Sequence, residues 1–469
     1  MFKKSLIASA VVLATVQAQA AVDLTSATPT VPVFATEIAV DATNGTSLTN
    51  AGNAIDVVVD YGFAANANTI RYLRFDLSSG AEFGAAPSLA CIGADNGSDN
   101  QTATVSSGGN GASFVIFELV DTDDAIASDG ECTLAAATYD VTGQTGVTLT
   151  YGHYETAGTA VSKTGALATD SGSIISFGAA LDVDFDAVTP AKIDVTQASK
   201  YFNGGTADDE TVIGDVNIDV DGTTLWTDGL AAALTDIVGA GTALDVTGVF
   251  TAAQNDDGTY TGAALSRVFI DNDGGCDNVN TAASALSATE ASFTLNTTAV
   301  ADAAEVCFMV EGTPVIEKTS FTANYDVTVA GATSDATDVS VGTISTLTKN
   351  GSSADVELVL TPGGAFNNYI RISNTSAIAG DVFVTVWNDS GDSVQINLGD
   401  VAGVSSSTIA AGASTGVIPT SAVYNAAVAA DATFDVAGGK LRLDVEGEFS
   451  SIDVQNITLS TDNTTFATF

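Results

Sequence analysis

A regular alternation of polar and apolar residues runs along Asp215-Val216-Asn217-Ile218-Asp219-Val220-Asp221. Successive side chains of a β-strand point to opposite faces of a sheet, so this stretch would bury its three aliphatic residues and expose its acids. The same alternation recurs in Ile55–Val59, Ser113–Leu119, Asp355–Leu360, Asp381–Trp387 and Lys440–Val445. Clusters of Gly, Asn, Asp and Ser end these runs. The sequence therefore predicts an all-β protein of tandem β-sandwich (Ig-like) domains with few or no helices.

Two half-repeats suggest how the chain is divided. In the first, Cys91 and Cys132 enclose Ala112-Ser113-Phe114 and precede Tyr139-Asp140-Val141-Thr142; in the second, Cys276 and Cys307 enclose Ala291-Ser292-Phe293 and precede Tyr325-Asp326-Val327-Thr328. We predict three β-sandwich domains over residues 21–185, 186–338 and 339–469. Among Ala-rich pieces, Gly229–Ala233 and Ser421–Ala430 could each form one short helix.

The first twenty residues have the organisation of a secretory signal. Lys3 and Lys4 precede an apolar run from Leu6 to Val16, and Ala18-Gln19-Ala20 has the small-x-small pattern of a cleavage site. We expect residues 1–20 to be a cleaved signal peptide. We also expect the mature chain to be secreted, with no membrane helix, since no later apolar run is long enough to cross a bilayer.

The chain is strongly acidic, with 57 Asp and Glu against 13 Lys and Arg and a formal charge of −44. Loss of Lys3 and Lys4 with the signal would change this charge to −46. Nucleic acid is excluded as a partner, because its phosphates would be repelled. Disorder is also excluded, since 45% of the residues are hydrophobic. The acidity favours cationic partners, either metal ions or the cation layer of a lipopolysaccharide surface.

Four cysteines are present in a chain that we expect to be exported, which predicts disulfides. Proximity in sequence favours the pairs Cys91–Cys132 and Cys276–Cys307. A zinc site is the alternative, but it would require CxxC or Cys/His spacing, and His153 is the only histidine.

Two acidic loops are the main candidates for calcium sites, because calcium prefers six to eight oxygen ligands. The denser loop, Asp271-Asn272-Asp273-Gly274-Gly275-Cys276-Asp277-Asn278, offers Asp271, Asp273 and Asp277 as ligands. The other offers Asp121, Asp123 and Asp124. The alternative for each loop is an ordinary polar turn.

Three further acidic segments are weaker calcium candidates. They are Asn255–Gly258, Asp389–Asp392 and Asn217–Asp228. The last has EF-hand-like spacing, but its alternating residues favour a strand.

Catalysis is not expected. Nucleophilic catalysis by serine usually needs a histidine base, and His153 lies between Tyr151 and Tyr154 on a predicted strand, where a packing role is expected. Rare cations lie in the apolar strands at Arg71, Arg74 and Arg371. Pairing with a neighbouring carboxylate is the default interpretation for these, and contact with a neighbouring subunit or lipopolysaccharide phosphate is the alternative.

The chain resembles the S-layer proteins of marine gammaproteobacteria. The resemblance rests on the signal, on the acidic body with paired cysteines, and on the closing segments Asn368–Asn374, Val384–Asp389 and Gly439–Leu443. It implies a structural protein that assembles with itself into a two-dimensional, calcium-dependent array on the outer membrane of a Gram-negative bacterium, with lipopolysaccharide as a possible attachment partner. The alternative function is a secreted adhesin or fibre subunit of the cell surface or biofilm matrix.

Overall fold

Antiparallel strands dominate the molecule, which confirms the predicted all-β class. The computed structural model describes residues 21–91, 101–121, 125–206, 209–295, 299–360, 366–434, 440–460 and 466–468. The predicted signal peptide, residues 1–20, lies outside them. The strands form three successive sets of sheets, here named the N-terminal, central and C-terminal sheet groups.

The N-terminal sheet group has sheets of four, three and six strands, ordered β1-β4-β10-β7, β3-β11-β6 and β2-β13-β12-β5-β9-β8. Its strands are β1 (Val22–Asp23), β2 (Val33–Ala35), β3 (Thr46–Thr49), β4 (Val57–Asp60), β5 (Ile70–Leu77), β6 (Ala81–Phe83), β7 (Ser88–Cys91), β8 (Gln101–Gly108), β9 (Phe114–Asp121), β10 (Glu131–Ala135), β11 (Thr138–Val141), β12 (Val147–Tyr154) and β13 (Ala168–Gly178). The β1–β4 and β2–β13 pairs are parallel.

The central sheet group consists of two five-stranded sheets, ordered β14-β15-β21-β17-β18 and β19-β20-β16-β22-β23. Its strands are β14 (Leu181–Asp186), β15 (Asp209–Val220), β16 (Ala243–Thr247), β17 (Val268–Asp271), β18 (Thr281–Ala282), β19 (Ala285–Leu286), β20 (Glu290–Thr294), β21 (Val300–Val310), β22 (Thr319–Asp326) and β23 (Val339–Leu347). The opening alternation lies in β15, where Val216 and Ile218 are buried. This strand also runs through the start of the EF-hand-like segment.

The C-terminal sheet group pairs a sheet ordered β24-β30-β26-β27, with β28 added on β26, with a sheet ordered β29-β25-β31-β32. Its strands are β24 (Ser352–Leu360), β25 (Phe366–Asn374), β26 (Gly380–Asn388), β27 (Ser393–Asn397), β28 (Thr408–Ile409), β29 (Ile418–Pro419), β30 (Lys440–Gly447), β31 (Ile452–Ser460) and β32 (Phe466–Thr468).

Helices are few and short in the described part of the chain. The α-helices are α1 (Ala157–Ser162), α2 (Leu234–Ile237) and α3 (Thr420–Ala430), and the 3-10 turns are Ala51–Asn53, Val195–Gln197, Thr251–Ala253, Gly262–Arg267 and Leu398–Asp400. The Ala-rich helix predicted at Ser421–Ala430 is α3, which begins after Pro419. The piece Gly229–Ala233 is not helical; α2 begins immediately after it.

The hydrophobic core has two large parts. One is continuous across the N-terminal and central sheet groups, and the other lies within the C-terminal sheet group. Central residues reach the N-terminal sheets directly: Leu225 forms a parallel bridge with Phe34, and the backbone N–H of Thr49 donates to the carbonyl of Thr227. The division into domains at residues 185 and 338 remains a prediction, because a shared core does not by itself fix domain limits.

Candidate metal centre

The acidic loop of the central sheet group begins where β17 ends, at Asp271. The chain turns through Gly274 and Gly275, both with positive φ, a conformation that glycine adopts without a Cβ clash. Cys276 follows and forms a disulfide with Cys307 of β21. The loop is therefore tied at one end by β-sheet pairing and near its other end by a covalent bond.

Three carboxylates converge in this loop. Ligand oxygens of Asp271, Asp273 and Asp277 all lie within 4.8 Å of one another. Oxygens that share one Ca²⁺ ion at about 2.3–2.6 Å can be at most about 5 Å apart, so this spacing suits a shared cation. Asp271 has no exposed surface, whereas Asp273 and Asp277 face solvent. The loop could offer three ligands to one ion and leave its remaining positions to water or backbone oxygens.

Hydrogen bonds fix the position of the inner carboxylate. Asp271 Oδ1 accepts from the backbone N–H of Asp273 at 3.3 Å, and Oδ2 accepts from that of Asn278 at 3.3 Å. Asn272 is held separately, because its N–H donates to Oδ1 of Asn280 at 2.7 Å. These bonds keep Asp271 oriented toward the loop interior.

The pKa values of the buried Asp271 and the exposed Asp273 are shifted in opposite directions. Burial opposes ionisation of Asp271, but the hydrogen bond from the Asp273 side chain and those from loop N–H groups outweigh it and lower the pKa of Asp271. The same side-chain hydrogen bond, followed by the negative charge of Asp271, raises the pKa of Asp273. When Asp273 is protonated, its proton can therefore be shared with Asp271, and a divalent cation could replace that proton.

Glu305 is a fourth acid at this loop that the sequence interpretation missed. It is the β21 partner of Asp271 in the strand register, and its Oε2 accepts from the N–H of Gly275. Its position two residues before Cys307 was the available signal, since a disulfide brings the neighbours of both cysteines together. Cys276, Glu305 and Cys307 also cluster, but the disulfide occupies both sulfurs, so the pair is not a zinc site.

The second predicted calcium loop is only partly described. Asp121 ends β9, and Asp123 and Asp124 lie outside the described residues. Among the described residues, clusters of three or more possible ligand side chains occur only at Asp271-Asp273-Asp277 and at Cys276-Glu305-Cys307.

The weaker acidic segments form hydrogen-bonded turns. Asp257 Oδ1 accepts from both the N–H and the hydroxyl of Thr259. Asp389 Oδ2 accepts from the N–H of Lys440. The carboxylate of Asp257 therefore stabilises its own turn, whereas that of Asp389 joins its turn to the start of β30.

The other disulfide joins Cys91 and Cys132, which are directly opposed partners on β7 and β10. Their Cα atoms are 4.0 Å apart. Both sulfur pairs are those that sequence proximity favoured. Here the strand register alone places the two residues side by side.

His153 is a packing residue in β12. Its side chain is fully buried, its Nδ1 lies 3.0 Å from the carbonyl oxygen of Tyr61, and its ring lies against that of Tyr61. Burial lowers the pKa of His153 to about 4. A neutral imidazole enclosed in this way is not placed to activate a nucleophile in solvent.

Arg74 pairs with a neighbouring carboxylate, as the default interpretation predicted. Its guanidinium binds both carboxylate oxygens of Asp76 at 2.7 Å and lies 4.4 Å from the centroid of the Phe114 ring. Among the described residues, neither Arg71 nor Arg371 forms an ion pair with a carboxylate.

A family model described as "S-layer protein Slr4" matches residues 68–464, most of the chain. The chain belongs to the S-layer protein Slr4 family. This places it among the structural proteins of cell-surface layers and confirms the resemblance at the level of the S-layer. No curated protein matches it. In the described part of this S-layer family member, no helix is long and apolar enough to cross a bilayer.

Three solved structures show a distant likeness to this S-layer chain. The BSP domain of a biofilm-associated protein is 8% identical, with 95% of this chain and 83% of that chain covered and a TM-score of 0.19. Domains 5–6 of the S-layer protein SbsC are 11% identical, with 62% and 95% covered and a TM-score of 0.13. Escherichia coli alpha-2-macroglobulin is 9% identical, with 93% and 32% covered and a TM-score of 0.15. At such TM-scores, none of these supports an inference about this chain.

Proposed function

We propose that this protein is the secreted subunit of a surface layer that assembles with itself into a calcium-dependent, two-dimensional array on a Gram-negative outer membrane. The observation that carries the proposal is the family match over residues 68–464. The role is structural and not enzymatic. Marine gammaproteobacteria are the proposed source, and residues 1–20 are the proposed export signal.

The charge of the chain is the reason for including calcium. Copies with a formal charge of −44 or, once processed, −46 would repel one another when packed side by side. Screening by salt weakens this repulsion, but cations held between and within the copies would remove it at short range. The Asp271-Asp273-Asp277 cluster is the proposed calcium site, and the loop with Asp121, Asp123 and Asp124 is a second candidate.

Attachment to the cell would use the folded surface. The proposed partner is the outer-membrane surface, with lipopolysaccharide as the candidate receptor. Calcium could bridge its phosphates to protein carboxylates, because both are hard oxygen ligands.

Electron microscopy tests the array directly. Mature protein with millimolar calcium should form ordered sheets, and the same protein with a chelator or with magnesium alone should stay dispersed. Cell envelopes should show the same periodicity as the purified sheets.

The opposite result would be a protein that stays monomeric with calcium at high concentration, together with envelopes that lack any lattice. Linear filaments would instead favour the fibre-subunit alternative.

A further inference from the structure

A cleft between the central and C-terminal sheet groups gathers basic residues in an otherwise acidic protein. It encloses about 480 Å³, and its lining includes Lys192, Lys318, Lys349, Glu446 and Glu448. This lysine cleft uses three of the 13 Lys and Arg residues in a chain that also contains 57 acids. The cleft is therefore a local reversal of the charge found over most of the molecule.

Ion pairs hold two of the lysines in place across the junction. Glu448 lies just beyond β30, and its carboxylate pairs with Lys318 and, at 3.3 Å, with Lys349. Lys318 also lies 4.4 Å from the centroid of the Phe383 ring. One carboxylate is thus shared by two ammonium groups. Glu446 also lines the cleft, so its positive charge depends on the third lysine, Lys192.

The third lysine has no role in this network. Lys192 is exposed, and its side chain has no hydrogen-bond or ion-pair partner among the described residues. Ile193, next to it, forms a parallel bridge with Lys349, which fixes Lys192 at the rim. Joining the two sheet groups would not need this extra charge. Its position suits contact with an anion that enters from solvent.

Much of the remaining lining is polar. Ser352 donates to the carbonyl of Phe449 at 2.8 Å, and Gln395 donates to Glu446 at 3.3 Å. Ser353 is exposed beside them. Hydroxyl and amide groups around a positive centre match a ligand that carries both hydroxyls and a negative charge. The volume lies within the range of small-molecule sites.

We infer that the lysine cleft binds an anionic sugar, a phosphate- or carboxylate-bearing unit of a cell-surface glycan. The inference rests on the proposed surface location, because it names the chemistry by which the subunit would hold that surface. A glycan unit is favoured over an acidic loop of a second copy because the cleft encloses about 480 Å³, a volume typical of small-molecule sites.

Binding can be measured on the calcium-free, full-length mature protein, so the result does not depend on array formation. The probes are glucose 1-phosphate, glucuronate and glucose, followed by ligand-observed NMR. We expect line broadening for one or both anionic sugars and none for glucose. Which anion binds distinguishes a phosphorylated glycan from a carboxylated one.

Two variants locate the site. Lys192→Glu should weaken binding of the anionic sugar at least fivefold without unfolding the chain, because the described structure gives this side chain no hydrogen-bond or ion-pair partner. Lys440→Glu is the matched control, since Lys440 is also exposed but lies outside the cleft lining, and its binding should stay unchanged.

Equal broadening by glucose and the anionic sugars, or unchanged binding in Lys192→Glu, would overturn the inference. Loss of sheet order in Lys192→Glu without any sugar binding by the wild type would overturn it too, and would assign the cleft to an acidic loop of a second copy. Failure of calcium-induced sheets with intact sugar binding would instead contradict only the array.

Discussion

The N-terminal and central sheet groups place their disulfides in similar surroundings but use them differently. In one, β10 lies between β4 and β7; in the other, β21 lies between β15 and β17. In each set of three strands, the middle strand, β10 or β21, contains the second cysteine of the half-repeat. Cys91 lies within β7, but Cys276 lies beyond the end of β17, in the acidic loop.

Because Cys276 lies beyond the end of its strand and Cys91 lies within its strand, the two disulfides have different structural roles. The Cys91–Cys132 bond joins residues that the sheet already holds opposite each other. The Cys276–Cys307 bond holds a loop over the end of a sheet, next to Asp271 and Glu305. The same covalent chemistry therefore reinforces a sheet in the first group and shapes a candidate cation site in the second.

Removing each disulfide should separate these two roles and produces the largest expected effect. Cys91→Ala/Cys132→Ala and Cys276→Ala/Cys307→Ala should each lower the free energy of unfolding by about 2–4 kcal/mol, because each bond restricts a loop of similar length in the unfolded chain. Only the second variant should also lose calcium affinity. Denaturant unfolding without calcium, and calcium titration of each variant, measure the two effects.

The first variant is the control for the second. Equal calcium affinity in both would contradict the role of Cys276–Cys307 in shaping the loop.

Neutralising one exposed ligand should have a smaller effect. Asp277→Asn should weaken calcium binding about tenfold, equivalent to about 1.4 kcal/mol, because it removes one of three clustered charges. Asp257→Asn is the matched control: Asp257 is equally exposed but caps its own turn through Thr259. Calorimetric titration should show a change only for Asp277→Asn, and a similar loss in both variants would mean nonspecific attraction by the acidic surface.

The smallest expected effect is a pH dependence of a few-fold in calcium affinity. Because the pKa of Asp273 is raised, its proton competes with calcium at a higher pH than for an ordinary aspartate. Affinity should fall as pH drops through that raised pKa, which calcium titrations repeated from neutral to acidic pH would measure.

Stability of the calcium-free protein should follow the opposite sign at this residue. The raised pKa of Asp273 contributes stability that is present below the unfolded pKa and is lost as pH rises through the folded pKa.

Asp273→Asn should flatten the pH dependence of calcium affinity. An unchanged profile in that variant would show that another group competes for the ion.

Local patterns accounted for much of the fold. The alternating runs form strands such as β15, β24 and β26. Alternation with a two-residue period favours a strand wherever one face of a sheet is buried, whichever strand it pairs with. The pairing of neighbouring cysteines followed from proximity. Glu305 was not predicted, because its distance from Asp271 in sequence conceals the strand register that makes them partners.

The sequence by itself determined an all-β chain, two cysteine pairs and a strongly negative charge that favours cationic partners. These properties depend on composition and on short-range periodicity. Tertiary structure decided which acids meet. The register of β17 with β21, together with one disulfide, brings Asp271, Asp273 and Asp277 together beside Glu305. It also decided that Lys192, Lys318 and Lys349 share one cleft, because only the packing of two sheet groups brings such distant residues together.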